Sequence, residues 1–146
     1  MLKLQASDYA KIRHHGEETY PNECCGILVG TSEGDVRTVR SAIRCNNVRA
    51  DSPQTRYAID PRDLVRIQRE ARKEKLDIVG FYHSHPDHPA QWSPTDLEQA
   101  QWMGCSYVIT AVEHGKPTQT KSFVLTGNRE EDKMLVEEDV VLVTSY

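Results

Sequence analysis

Apolar positions fall into short runs separated by polar, turn-forming stretches, and their period changes along the chain. Cys24 to Val29 reads as a strand, and Ile78 to Tyr82 is an apolar run with the pattern of a strand covered on both faces. Tyr9, Ile12 and Tyr20 are the candidate inward positions of a helix from Asp8 to about Tyr20, capped by Ser7 and stopped by Pro21. Leu64, Ile67 and Ala71, three and four apart, predict a second helix that opens at Asp60-Pro61-Arg62-Asp63 and runs to about Lys75, its other face charged and solvated. A third is predicted from Pro94 to about Met103. Val36 to Ile43 reads as the return arm of a hairpin over the turn-forming stretch Gly30 to Asp35, Arg44 to Gln54 as a loop, and Arg56 to Ile59 as a short strand. Ser106 to Val112, Lys121 to Leu125 and Val136 to Val143 are further strands, with His114-Gly115-Lys116-Pro117 a turn. Helices interleaved with strands and hairpins, without internal repeat or linker, predict one α/β domain over residues 1–146 with a mixed sheet.

A chain of 146 residues can bury a real core. Net charge is -4 with both signs interspersed and no long basic run, so nothing points to nucleic acid. The opening Met1 to Asp8 lacks the apolar core of a signal peptide, and no stretch is long enough to span a bilayer, so the expected location is cytoplasmic. Cys24, Cys25, Cys45 and Cys105 are too few and too scattered for a disulfide framework and are expected as thiols packed in the core. Cys24 and Cys25, adjacent on a strand, face opposite sides.

Candidate chemistry concentrates between residues 83 and 96. His83-Ser84-His85 follows the apolar run Ile78 to Tyr82, and residues two apart on a strand share a face, so both imidazoles project together. Ser93-Pro94-Thr95-Asp96 then carries a helix start: a capping serine, proline at the first helical position and an acid at the third. Each half has an ordinary explanation, a strand end and a helix cap. Together, with only a loop between, they offer two imidazoles and one carboxylate. That set leaves a coordination position for water, which is how catalytic zinc differs from structural zinc. Zinc would bring the water's pKa to about 7. His88, in a loop between two prolines, is a minor candidate for touching metal or substrate, and Trp92, beside the serine, either lines a substrate groove or pins the loop to the body. His14 and His15 read as a solvated helix face.

The pattern His-x-His-Pro-x6-Ser-x2-Asp resembles the signature of the JAMM (MPN+) metallopeptidases. The family pairs it with an upstream Glu-x-Cys-Gly-x-Leu-x-Gly, matched here by Glu23-Cys24-Cys25-Gly26-Ile27-Leu28-Val29-Gly30. The resemblance extends over nearly the whole chain and implies a mixed, mostly antiparallel sheet flanked by helices, of the cytidine-deaminase-like kind. It also implies that His83, His85 and Asp96 bind Zn2+, that Glu23 is the general acid–base, and that Ser93 supports the oxyanion. Among the acids of the sequence, only the resemblance singles out Glu23. The implied activity is cleavage after the C-terminal Gly-Gly tail of a ubiquitin-like protein. The chain is similar in size to the small prokaryotic members, which implies a ubiquitin-like sulfur carrier as partner. A non-catalytic MPN-type interaction module is the alternative, set aside because no ligand position is missing. A two-histidine, one-carboxylate iron oxygenase would usually sit on an all-β barrel, and the His-x-Glu and Pro-Cys-x-x-Cys pair of the zinc deaminases is absent.

Overall fold

The computed structural model describes residues 1–144. Eight strands and three α-helices follow one another as β1 (Leu2–Gln5), α1 (Ala6–Thr19), β2 (Cys25–Glu33), β3 (Val36–Cys45), α2 (Pro61–Lys73), β4 (Asp77–Pro86), α3 (Pro94–Gln99), β5 (Ser106–Glu113), β6 (Lys116–Thr126), β7 (Met134–Glu138) and β8 (Val140–Val143). They form a mixed sheet in the order β7-β6-β5-β4-β2-β3-β1-β8. The continuous apolar runs belong to β2 and β4, in the middle of that order. Helix α2 packs on both and α1 on β4, while Cys24, just before β2, and Leu28 within it share a buried cluster with Ile12 of α1.

The sheet is rolled. β7 and β8 stand at opposite ends of the strand order, yet only Asp139 separates them in the chain, so the two edges meet within a residue or two. The buried Glu138 carboxylate registers the closure: it accepts from Ser122 Oγ on β6, from Ser106 Oγ at the start of β5 and from the Arg37 guanidinium on β3. Leu2 N–H donates to Asp139 O at 2.8 Å on the same seam. Helix α1 lies against β1, β3, β4, β5, β6 and β8, in the hollow of the roll. Leu2, Leu4, Ile12, Leu28, Val39, Val79 and Val108 pack there, while Ile27, Phe81, Ile109 and Phe123 face the opposite side with Ile67 and Ala71 of α2. Cys24 and Cys25 divide between these two cores, as their adjacency predicts.

Gly26 is held by close approach. A Cβ there would stand 2.0 Å from Tyr82 Cε2, so the Tyr82 ring lies across β2 with only glycine beneath it. The Tyr82 hydroxyl reaches His15 Nδ1 at 2.7 Å inside the α1 core. His15 is therefore not on a solvated face. The curled sheet covers more of α1 than a flat one would, whereas His14 stays exposed beside Glu18. Burial, assisted by the nearby Arg44 cation, pushes the His15 pKa down to about 4. Between about pH 6.5 and 4 the unfolded chain then binds a proton that the folded one refuses, so this contribution is complete above pH 6.5 and is lost as the pH falls through that window. A fall of roughly 3 kcal/mol is expected from this group. Thermal unfolding of the parent and His15→Gln across that range checks it: the variant's midpoint should decline less steeply with acid.

Other expectations shift at the edges. Leu2–Gln5 is a strand, paired in parallel with β3 and β8, and it runs directly into α1. Gln5 occupies the cap position instead of Ser7 and makes no side-chain cap bond. Tyr20 lies just beyond the helix, and its hydroxyl donates to Asp87. The segment 56–59 is not a strand: Ala58 N–H binds the Asn47 side chain and Ala58 O accepts from Val48 N–H, which settles its polar groups within the loop. The third helix stops at Gln99, because Ala100 turns to extended backbone. The single strand read over Val136 to Val143 is two strands on two edges.

Candidate metal centre and cleft

Strand pairing brings the site together. β2 and β4 run antiparallel with Cys25 opposite His83. Two residues further along the same register, Glu23 comes opposite His85. Ser84, on the other face of β4, fixes that register: Cys24 N–H donates to Ser84 Oγ at 2.8 Å, and Ser84 N–H donates to Cys24 O. The alternation that turns Ser84 inward turns both imidazoles to the opposite face.

The loop after β4 then delivers α3. At its start Ser93 and Asp96 form a reciprocal capping box, Asp96 N–H donating to Ser93 Oγ at 3.1 Å and Ser93 N–H donating to Asp96 Oδ2 at 2.9 Å. The box leaves the Asp96 carboxylate facing β4, with Oδ1 3.1 Å from His83 Nε2 and Oδ2 3.0 Å from His85 Nε2. The two Nε2 atoms are 3.2 Å apart. His85 Nδ1–H donates to Pro89 O at 2.9 Å, which aims the lone pair of Nε2 inward. Burial raises the Asp96 carboxyl, but the two imidazoles outweigh it and hold the group far below the usual carboxylate range. Burial lowers His83 overall despite Asp96, keeping it neutral, while for His85 the bonds to Asp96 and Pro89 overcome burial and raise it.

Glu23 and Ser93 line one cleft of about 400 Å3 with His85, His88, Arg56 and Trp92. Glu23 is only 4% exposed, and its Oε1 has no hydrogen-bond partner. Burial pushes its pKa up to about 8, with Asp96 adding and His85 opposing. His88 and Trp92 both line this cleft.

Two residues of the site escaped the sequence. Tyr57 stacks on His83 with ring centroids 4.5 Å apart, closing the back of the imidazole pair. Asn47 donates its amide to Glu23 O at 3.2 Å and to Arg56 O at 3.0 Å, and its Oδ1 accepts from Arg49 and Ala58 N–H. An aromatic and an amide in a polar stretch were the only signals available.

A family model described as prokaryotic homologs of the JAB domain matches residues 5–126. The chain is a prokaryotic JAB-domain protein. Among relatives of this JAB protein, the desampylase of Haloferax volcanii is 44% identical over 112 residues, which cover 74% of this chain and 78% of that one. The CysO-cysteine peptidase of Mycobacterium tuberculosis is 28% identical over 132 residues, covering 90% and 84%. A solution structure of a protein from Desulfitobacterium hafniense superposes with a TM-score of 0.81 at 31% identity, covering 98% of this chain and 93% of that one. The JAB fold predicted from the resemblance, a mixed sheet flanked by helices, is the fold observed, and the chain is a hydrolase of the JAMM kind.

Proposed function

We propose that His83, His85 and Asp96 hold a zinc ion, and that the JAB protein is a peptidase that cleaves after the Gly-Gly tail of a ubiquitin-like or sulfur-carrier protein. The observation that carries this reading is the convergence of two imidazole Nε2 atoms and both oxygens of one carboxylate, beside a buried, unpartnered glutamate at a cleft. The donor set fits the ion: one carboxylate faces two imidazole nitrogens, and the ligating atoms lie within 4.8 Å of one another. Two histidines and a carboxylate are a catalytic zinc set with a position left for water. When bound, zinc supplies an acidified water and a Lewis acid for the scissile carbonyl.

The remaining chemistry belongs to the chain. Glu23 Oε1, with nothing else to bind, takes a proton from the attacking water and returns it to the departing amine. Ser93 Oγ already accepts from Asp96 N–H, so its own hydroxyl proton is left to donate to the developing oxyanion. Tyr57 and the Pro89 carbonyl keep the imidazoles oriented. The kinship with a protein named a desampylase and another named a CysO-cysteine peptidase supports a protein conjugate as substrate. Among the described residues no helix is long and apolar enough to cross a membrane, and we place the reaction in the cytoplasm.

Metal analysis of protein purified without chelator should give about one zinc per chain, the stoichiometry of a single catalytic site. The zinc-loaded protein should cut Gly-Gly-tailed carrier fusions directly after the second glycine, and a chelator should stop it. No cleavage of any such fusion would remove the substrate assignment; iron in place of zinc would remove the metal assignment.

A further inference from the structure

Helix α3 and its cap carry two groups of the site, Asp96 and Ser93, yet the helix is six residues long and has no fully buried residue. So short a helix does not hold itself. The capping box fixes Asp96 relative to Ser93, but both partners belong to the start of α3 and move with it. The far end must be held against the sheet. Leu97 packs partly on the core of the α2 face, and Ala100, just past the helix, is buried. The polar tie is Lys133. Its side chain is only 4% exposed, and its Nζ donates to Glu98 O at 3.0 Å and to Ala100 O at 2.9 Å, with Glu130 Oε1 at 2.8 Å as the third acceptor. An ammonium has three N–H donors, so the cation is fully satisfied. It takes up carbonyls that the end of a helix leaves without partners, where the helix dipole favours positive charge.

Lys133 is itself fixed to the sheet. It stands immediately before β7, whose first residue, Met134, pairs with Thr126 of β6, and Thr126 Oγ1 donates to Met134 O. Gly127 makes room for it: a Cβ there would stand 2.8 Å from Lys133 Cα. Leu135, next on β7, lies in the core opposite Leu125. The ammonium thus connects α3 to strands β6 and β7, from a position beyond the segment 5–126 that the family model matches. Glu98 and Ala100 follow Asp96 within about one helical turn. In so short a helix a displacement of one end displaces the other, and the Asp96 oxygens stand only 3.1 Å and 3.0 Å from the two imidazoles. Resting on the reading of His83, His85 and Asp96 as a zinc site, we infer that Lys133 is a positioning residue: by holding the carbonyl end of α3 it sets the Asp96 carboxylate against the two imidazoles, and thereby the affinity of the site for zinc.

The test measures the zinc affinity of the full chain by competition with a chelating indicator, beside amide hydrogen exchange in the zinc-free protein. Lys133→Met keeps the alkyl stem and removes the donors. Its zinc dissociation constant should rise about tenfold or more, the effect of losing a group that orients a metal ligand from outside the ligand set. The amides of Leu97 and Ala100, which donate to Ser93 O and Asp96 O, should exchange faster than in the parent. With zinc saturating, kcat should return close to the parent's, since Lys133 touches no reacting atom. Lys133→Gln keeps two donors without the charge; it should fall between the two, and it carries the test alone if Lys133→Met does not fold. Glu130 is 65% exposed. Losing its charge in Glu130→Gln should therefore leave zinc affinity within about threefold of the parent's. Unchanged zinc affinity in the Lys133 variants, whatever their unfolding midpoints, would make Lys133 a purely structural cation and overturn the inference. An equal loss in Glu130→Gln, or a kcat that saturating zinc does not restore, would overturn it as well. A parent that binds no zinc would instead defeat the zinc reading itself, and this inference with it.

Discussion

Replacing Asp96 with asparagine is expected to leave a folded protein that retains little zinc and turns over its conjugate on the order of a thousandfold more slowly, several kcal/mol of lost barrier reduction. The expectation rests on the two jobs the carboxylate does at once. Its oxygens face both imidazoles, at 3.1 Å and 3.0 Å, and one of them also accepts from Ser93 N–H. Asparagine keeps an oxygen for the cap, so α3 can still start at Pro94. It lacks the negative charge, and half of its donor pair becomes an amide NH2 that repels a cation. Zinc measured by elemental analysis should fall from about one per chain to near zero, while circular dichroism and the unfolding midpoint of the metal-free forms stay close. A variant with full zinc and normal turnover would show that Asp96 is a helix cap and nothing more.

Glu23→Gln should separate the metal from the chemistry. Glu23 lies across the β2–β4 register from His85 and outside the converging ligand set, so zinc content should remain near one per chain. Turnover should drop by about 10² to 10⁴, the range attached to a positioned general acid–base. Stability should not drop with it. The glutamate is buried, and one of its oxygens has no partner, an arrangement that costs folding free energy. Glutamine removes the ionisable group from that position at nearly the same volume, and the unfolding midpoint of the variant is expected at or above the parent's. Loss of activity with unchanged metal and undiminished stability is the signature of a group kept for catalysis. Full turnover in the zinc-loaded variant would end that assignment.

The two outcomes also bear on how much of the molecule can be read from its residues. His83, His85, Ser93 and Asp96 were legible because each half of the group is local: a strand alternates with period two, and a capping box needs four consecutive residues. Glu23 was not legible from local chemistry. Its place depends on the pairing of β2 with β4, sixty residues apart in the chain, and only resemblance to a family pointed to it. Tyr57 and Asn47 were missed for a related reason. The stretch from Arg44 to Ile59 reads as polar loop, and its order comes from one Asn47 side chain binding four backbone groups, a network with no period. The core strands β2, β4, β5 and the inward face of α2 showed plainly in their apolar patterns. Strand β1 and the break at Asp139 did not, because short edge strands are defined by the partners they meet. His15 was misread because a helix in the hollow of a curled sheet is covered over more of its circumference than a surface helix.

That hollow has a consequence for the order of events in the life of the molecule. The last strand pairs with the first, Val140 to Val143 against Leu2 to Gln5, and Glu138 ties together side chains from β3, β5 and β6. Contacts of such wide sequence separation pay their loop-closure entropy late, and they make for slow, cooperative folding. The candidate cleft is built on β2 and β4, and the α1 side of the sheet is shut off only when β8 joins β1. A nascent chain that already carries every residue from Glu23 to Asp96 still lacks the seam that closes the roll. Hydrolytic competence is therefore expected to appear abruptly, after residue 143 has been synthesised, and not to grow with chain length.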